Sequence, residues 1–172
     1  MVHSPNPNHT ALRVGADPWA AFYDMIVFLD LDGVLRRENA PKYRLEAPLV
    51  ARFEDLLYEL PEIEVVISST WRDTFGIQEL RGLFSADVRL RIVAKTRTIP
   101  GLNEYPRQAE AEAWLREHAP DAPWIAVDHR PDLWRPGAPV VACDPSEGLT
   151  DTACSRLRAH IRNRARNRDL VK

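Results

Sequence analysis

Asp30 and Asp32, one residue apart at the end of an apolar run, are the pair best spaced to do chemistry. In extended backbone alternate residues share a side, so both carboxylates would face one pocket, and Gly33 lets the chain turn sharply behind them. Two carboxylates held close repel each other unless a cation lies between them or they share a proton. Other groups of this kind follow apolar runs further on: Ser68 and Ser69, then Asp128 and Asp132. Small hydroxyls beside backbone N–H groups at a strand end suit a phosphate or another oxyanion. Lys95 or Arg107 adds a positive charge. Hard oxygen ligands of this sort suit magnesium, whose shell is completed by waters and phosphate oxygens. A P-loop is not the source of the chemistry, because no Walker motif is present. Nor is an EF-hand, since Asp30-Leu31-Asp32-Gly33 runs into apolar Val34-Leu35 without the ladder of ligands such a loop needs.

The elements that must position these groups are legible as periods. Met25 to Leu29 is an unbroken apolar run, the pattern of a central strand in a parallel sheet covered on both faces. Such sheets bind ligands at the carboxyl ends of their strands. A polar connection from Arg36 to Lys42 follows. Pro48 opens an amphipathic helix with Leu49, Phe53, Leu56, Leu57 and Leu60 on one face, and Pro61 ends it. Ile63 to Ile67 reads as the second strand. Phe75 to Leu83 reads as a short helix weakened by Gly76, and Val88 to Ala94 as the third strand. Pro106 fits the first position of a helix from Arg107 to His118, with Ala111, Trp114, Leu115 and His118 on its buried side. Trp124 to Val127 and Pro139 to Cys143 supply two more strands. Thr150 or Asp151 caps a last helix running to about Arg166. Strands alternate with helices and there is no internal repeat, which predicts an α/β architecture with a mainly parallel sheet.

A chain of 172 residues fits one domain with a sizeable core, and 45% hydrophobic with 28% charged residues is ordinary for a soluble globular protein. No apolar run approaches a membrane span, and the start lacks the basic and apolar stretches of a signal peptide. Two cysteines, Cys143 and Cys154, without Cys-x-x-Cys or Cys/His spacing, argue against a zinc site or a disulfide framework. A cytoplasmic protein is therefore expected. Residues 1–24 are expected to form a flexible arm, 25–162 the catalytic domain and 163–172 a basic tail. The net charge of −2 hides an uneven distribution: from Asp151 onward there are seven Lys/Arg against two Asp. Such density could contact a phosphate backbone, although cations at a helix C-terminus are also favoured by the dipole. Nothing in the sequence bears on oligomeric state.

Taken in order, these motifs resemble those of the haloacid dehalogenase-like (HAD) phosphohydrolase superfamily. An apolar strand ending in Asp-x-Asp-Gly is matched by Asp30, Leu31, Asp32 and Gly33, and a strand ending in Ser or Thr by Ser68. A basic residue near a helix start is matched by Arg107 in preference to Lys95. The acidic pair after a strand is matched by Asp128 and Asp132, and His129 stands where the adjacent-acid form has its second aspartate. Ser68-Ser69-Thr70-Trp71-Arg72, Trp114-Leu115 and Asp144-Pro145 look like a small subgroup whose members occur alone or joined to RNA-repair enzymes. The resemblance implies a Rossmannoid three-layer sandwich and a two-step phosphoryl transfer. Asp30 would be the nucleophile, Asp32 the acid and base, Ser68 a phosphoryl ligand and Arg107 the balancing charge. Magnesium would be held by Asp30, the Leu31 carbonyl and Asp128, with Asp132 directly or through water and Asp32 among the surrounding carboxylates. Gly33, Ser69, Trp71 and Arg72 are candidates for substrate contact. Residues 36–47 and 71–106 leave no room for a full cap domain, so the expected substrate is a large phosphorylated one, such as a polynucleotide end, or a small one closed in by a partner. A phosphotransferase or dehalogenase on the same scaffold, or a non-catalytic binding module, remain rival readings.

Overall fold

The computed structural model describes residues 25–101 and 104–169, with side chains described through residue 164. The arm expected over 1–24 lies outside the described residues. Five strands, β1 (Met25–Leu29), β2 (Ile63–Ile67), β3 (Ile92–Lys95), β4 (Trp124–Asp128) and β5 (Val140–Ala142), form one sheet in the order β3-β2-β1-β4-β5. All four pairings are parallel. Helices α1 (Ala47–Glu59) and α5 (Asp151–Asp169) cover one face, and α4 (Pro106–His118) covers the other. The short α2 (Ile77–Arg81) and α3 (Ala86–Arg89) lie between β2 and β3.

The apolar run of β1 is continuous because it serves two cores. Met25, Val27 and Leu29 join Phe53, Leu56 and Leu157 on one side, while Ile26 and Phe28 join Val66, Ala111, Trp114 and Trp134 on the other. This is the period of two expected of a strand buried on both faces. Among the described residues no cap domain is inserted: turns alone link β1 to α1, and α2, α3 and β3 fill the span from β2 to α4.

The expected boundaries shift in three places. Gly76 does not weaken a helix but precedes one: it is the N-cap of α2, and its N–H donates to the Glu79 carboxylate at 2.8 Å. A turn of 3₁₀ helix from Thr70 to Asp73 comes before it. The strand expected from Val88 is half helical. Val88 packs into the core from α3, and pairing begins only at Ile92. Branched apolar residues fit either state, so period could not separate a single helical turn from the first half of a strand. Helix α5 continues through the boundary expected at residue 163, as far as Asp169.

Candidate active site

Strand register alone assembles the centre of the site. Leu29 pairs with Ile67 on one side and with Val127 on the other, so the next residues, Ser68, Asp30 and Asp128, fall side by side at the carboxyl edge. Asp30 N–H donates to the Val127 carbonyl and Ser68 N–H to that of Leu29. Asp30, Ser68 and Asp128 are almost wholly buried. Pro106 starts α4 just outside this edge and delivers Arg107 from its first turn. One guanidinium nitrogen of Arg107 lies 3.4 Å from Asp30 Oδ1 and 3.2 Å from Asp128 Oδ2, and it also donates to the Ser68 carbonyl. Lys95, the other candidate cation, instead donates to the carbonyls of Arg72 and Phe75.

His129 completes the cluster. Its Nδ1 is 2.7 Å from Asp30 Oδ2, and ligand atoms of Asp30, Asp128 and His129 all lie within 4.8 Å of one another. Gly33 makes this possible: its φ is +66°, and a Cβ there would sit 2.4 Å from His129 Cγ. Asp128 Oδ1 accepts from the Arg130 N–H at 2.8 Å, and Oδ2, besides its approach to Arg107, accepts from the Trp134 indole N–H at 2.9 Å. The Leu31 N–H donates to Asp30 Oδ1.

The electrostatics follow from this crowding. Burial raises the Asp30 pKa, but the His129 hydrogen bond and the charge of Arg107 outweigh it and hold the carboxyl below its ordinary value. Asp128 goes the other way: burial first, then repulsion from Asp30, pushes it up to about 6. His129 is raised, chiefly by its bond to Asp30, against the cost of burial. A buried carboxylate whose ionisation is opposed by the charge of a second one beside it forms a natural cation site.

Asp32 stands slightly apart and partly exposed. Its Oδ2 accepts from the Trp71 indole N–H at 2.9 Å and its Oδ1 from Arg36 at 2.9 Å. Trp71 is therefore a buried positioning residue for Asp32, packed edge-on against Tyr43. The remaining expected residues lie elsewhere. The Leu31 carbonyl, expected at the metal, already accepts from the N–H groups of Val34, Leu35 and Arg36, so the turn behind β1 uses its lone pairs. Asp132 is exposed and held by both forks of Arg130, at 2.8 and 2.7 Å, apart from the Asp30–Asp128–His129 cluster. Arg72 is buried against Glu110 at 2.7 Å. Ser69 Oγ accepts from the Trp71 N–H and caps the 3₁₀ turn. Ser68 Oγ, by contrast, is buried with no hydrogen-bond partner among the described residues, an orphaned hydroxyl beside the two acids.

Sequence reading leaves His129, Trp134 and Glu110 without partners, and in the structure each holds an expected residue in place. Only His129 carries a signal, its adjacency to Asp128. Trp134 and Glu110 meet their partners across loops and helices that no local pattern relates.

A family model described as the HAD domain in Swiss Army Knife RNA repair proteins matches residues 26–154, well over half of the chain. No curated protein and no solved structure matches it.

Proposed function

Since the chain belongs to the family of HAD domains found in Swiss Army Knife RNA repair proteins, we propose that it is a magnesium-dependent phosphatase that hydrolyses phosphomonoesters, with nucleic-acid ends as the substrate class. The observation that carries this reading is the pairing of Asp30 and Asp128 on neighbouring strand ends, with Arg107 3.4 and 3.2 Å from them and a Ser68 hydroxyl alongside that has no partner among the described residues.

The donor set fits a divalent cation. Asp30 and Asp128 are buried side by side, the charge of Asp30 opposes ionisation of Asp128, and ligand atoms of both lie with one of His129 within 4.8 Å of one another. These two residues would hold the ion, with His129 at its margin. Oxygen ligands favour magnesium, while the imidazole nitrogen also admits manganese. When bound, the ion supplies charge stabilisation for the phosphoryl oxygens.

The chain's own residues then divide the work. An oxygen of Asp30 attacks phosphorus, and the bond to the leaving oxygen breaks with the electron pair going to that oxygen. Asp32, held by Trp71 and Arg36, gives that oxygen a proton. The Ser68 hydroxyl donates to a phosphoryl oxygen, and Arg107 stabilises the charge on the group in transit. Asp32 next takes a proton from water as the water attacks the aspartyl-phosphate, releasing phosphate and restoring the Asp30 carboxylate.

The test is turnover of p-nitrophenyl phosphate with magnesium and after chelation, together with trapping of labelled phosphate on the protein. Activity should vanish with chelator and return with the ion. Asp30→Asn should trap none, because an amide is a poor nucleophile. Asp32→Asn should still trap some from this activated substrate, whose leaving group needs little protonation. Trapping by Asp30→Asn at the level of the parent would overturn the assignment.

A further inference from the structure

An ion held by Asp30 and Asp128 needs further ligands, and the two expected from the motifs are engaged elsewhere. The Leu31 carbonyl accepts from the N–H groups of Val34, Leu35 and Arg36 at 3.3, 2.9 and 3.1 Å. A carbonyl oxygen has two lone pairs, so this one has none to spare. Asp132 is exposed and bound by Arg130. The shell is short of a protein donor.

The two acids divide their oxygens between two neighbours. Asp30 Oδ1 and Asp128 Oδ2 face Arg107, at 3.4 and 3.2 Å. Asp30 Oδ2 and Asp128 Oδ1 face His129 Nδ1, at 2.7 and 3.8 Å, and the latter oxygen also accepts from the Arg130 N–H. The guanidinium repels a cation, which leaves it the pair of oxygens beside the imidazole. Neighbouring donors around a small octahedral ion, each about 2.1 Å from it, stand about 3 Å apart. The separations of 2.7 and 3.8 Å bracket that spacing.

The fold makes room for the ring at this point. Gly33 has φ +66°, and a Cβ there would lie 2.4 Å from His129 Cγ and 2.9 Å from Cδ2. The His129 side chain is 22% exposed against 1% for each acid, so it stands at the mouth of the cluster. A neutral imidazole bound through Nδ1 keeps its one proton on Nε2. A nitrogen donor also changes which ion is preferred. Magnesium is a hard ion that keeps to oxygen, whereas manganese is held by carboxylates and histidine together.

We propose that His129 is itself a ligand of the ion through Nδ1, in place of the Leu31 carbonyl, and that this mixed oxygen–nitrogen shell selects manganese over magnesium. The inference rests on the metal-dependent phosphatase reading above, whose chemistry either ion supports, but it is measured without turnover. Pulsed electron paramagnetic resonance of the full-length protein loaded with Mn2+ should show the nitrogen hyperfine coupling of a directly bound imidazole. His129→Asp and His129→Gln should each abolish that coupling. Calorimetric titrations with Mn2+ and Mg2+ should show tighter manganese binding to the parent. That preference should fall by about tenfold or more in the variants, whose side chains offer the ion only oxygen. Thermal melts in chelator identify which variants are folded, and either one suffices. Mn2+ binding without nitrogen coupling in the parent would overturn the ligand. So would coupling that persists, or a preference that is unchanged, in a folded variant. Nitrogen coupling without turnover of any phosphomonoester under either ion would leave the ligand in place and overturn the phosphatase reading. Binding of neither ion would overturn both.

Discussion

At the scale of single residues, the centre of the site is a balance among three titrating groups. The signs differ. His129 is raised, so the stabilisation from its bond to Asp30 is complete below its ordinary 6.5 and is lost as pH rises through the raised value. Asp128, pushed up to about 6, favours folding while protonated, and that contribution also fades as pH rises through about 6. Asp30 is lowered, so its contribution is present above the ordinary 3.8 and is lost as pH falls through the lowered value. The metal-free protein should therefore melt at a lower temperature at about pH 8 than at about pH 5.5, and Asp128→Asn should flatten that slope. Melts in chelator across this range check it; a slope unchanged in Asp128→Asn would refute the assignment. Cation affinity should rise over the same interval with proton release, because the ion needs both carboxylates ionised. Gly33 sets the geometry of this cluster. Gly33→Ala places a Cβ 2.4 Å from His129 Cγ at φ +66°. The backbone conformation alone costs about 1–2 kcal/mol. Chemical denaturation should show a larger loss than that, and pairing it with His129→Ala should recover only part of it, because the retained Cβ of residue 129 would still lie 2.5 Å from the new one and the backbone cost remains.

At the scale of elements, the carboxyl edge is locked from behind by the buried Arg72–Glu110 pair, which ties the 3₁₀ turn after β2 to α4. Arg72 also donates to the Ser68 carbonyl at 3.1 Å. Removing one partner of a buried pair strands the other charge and costs about 3–5 kcal/mol, whereas replacing both by apolar groups can be nearly neutral. Arg72→Met should therefore unfold at markedly lower denaturant, and Arg72→Met with Glu110→Leu should recover most of the loss. A double variant no more stable than the single one would show that the hydrogen bonds to Ser68 and Thr98, not the charge pair, carry the lock. The same edge shows what is legible in the sequence. The strands at Met25 and Ile63 and the helices opened by Pro48 and Pro106 are readable because burial on two faces and proline at a first turn are local signals. Parallel register then places Asp30, Ser68 and Asp128 together as expected. Arg72 reads as a substrate contact because its neighbours in sequence point at the site. Its partner lies 38 residues away on another element, and no period or spacing encodes that. The Leu31 carbonyl reads as open for a similar reason: nothing in Asp-Leu-Asp-Gly reveals that three later N–H groups turn back onto it.

At the scale of the whole molecule, the basic end of α5 and the acidic site occupy opposite edges. Helix α5 starts beside the catalytic edge, where Asp151 meets Arg52 of α1 and the Leu149 N–H donates to the Val34 carbonyl. It then runs toward the amino ends of the strands. Arg158 pairs there with Glu59 at the end of α1, just before the chain enters β2. With 19 residues the helix is about 28 Å long. Arg162 and Arg164 therefore sit far from Asp30, so they cannot grip the end group being processed. They could hold only a distant part of a long polymer. This separates two lengths of ligand. Among the described residues the buried core ends at Ile161, ahead of the segment 163–172 that a shortened protein would lack. A phosphorylated trinucleotide should then bind the intact and shortened proteins with equal affinity and equal salt dependence. A long single strand should lose affinity on deletion, with a salt slope reduced by about 0.7 for each phosphate that the tail no longer neutralises. Affinities measured across a salt series for both ligands and both proteins decide it. A trinucleotide weakened by the deletion would mean that the tail reaches the site, against the course of α5, while a long strand indifferent to it would leave the arginines as a solvated helix end.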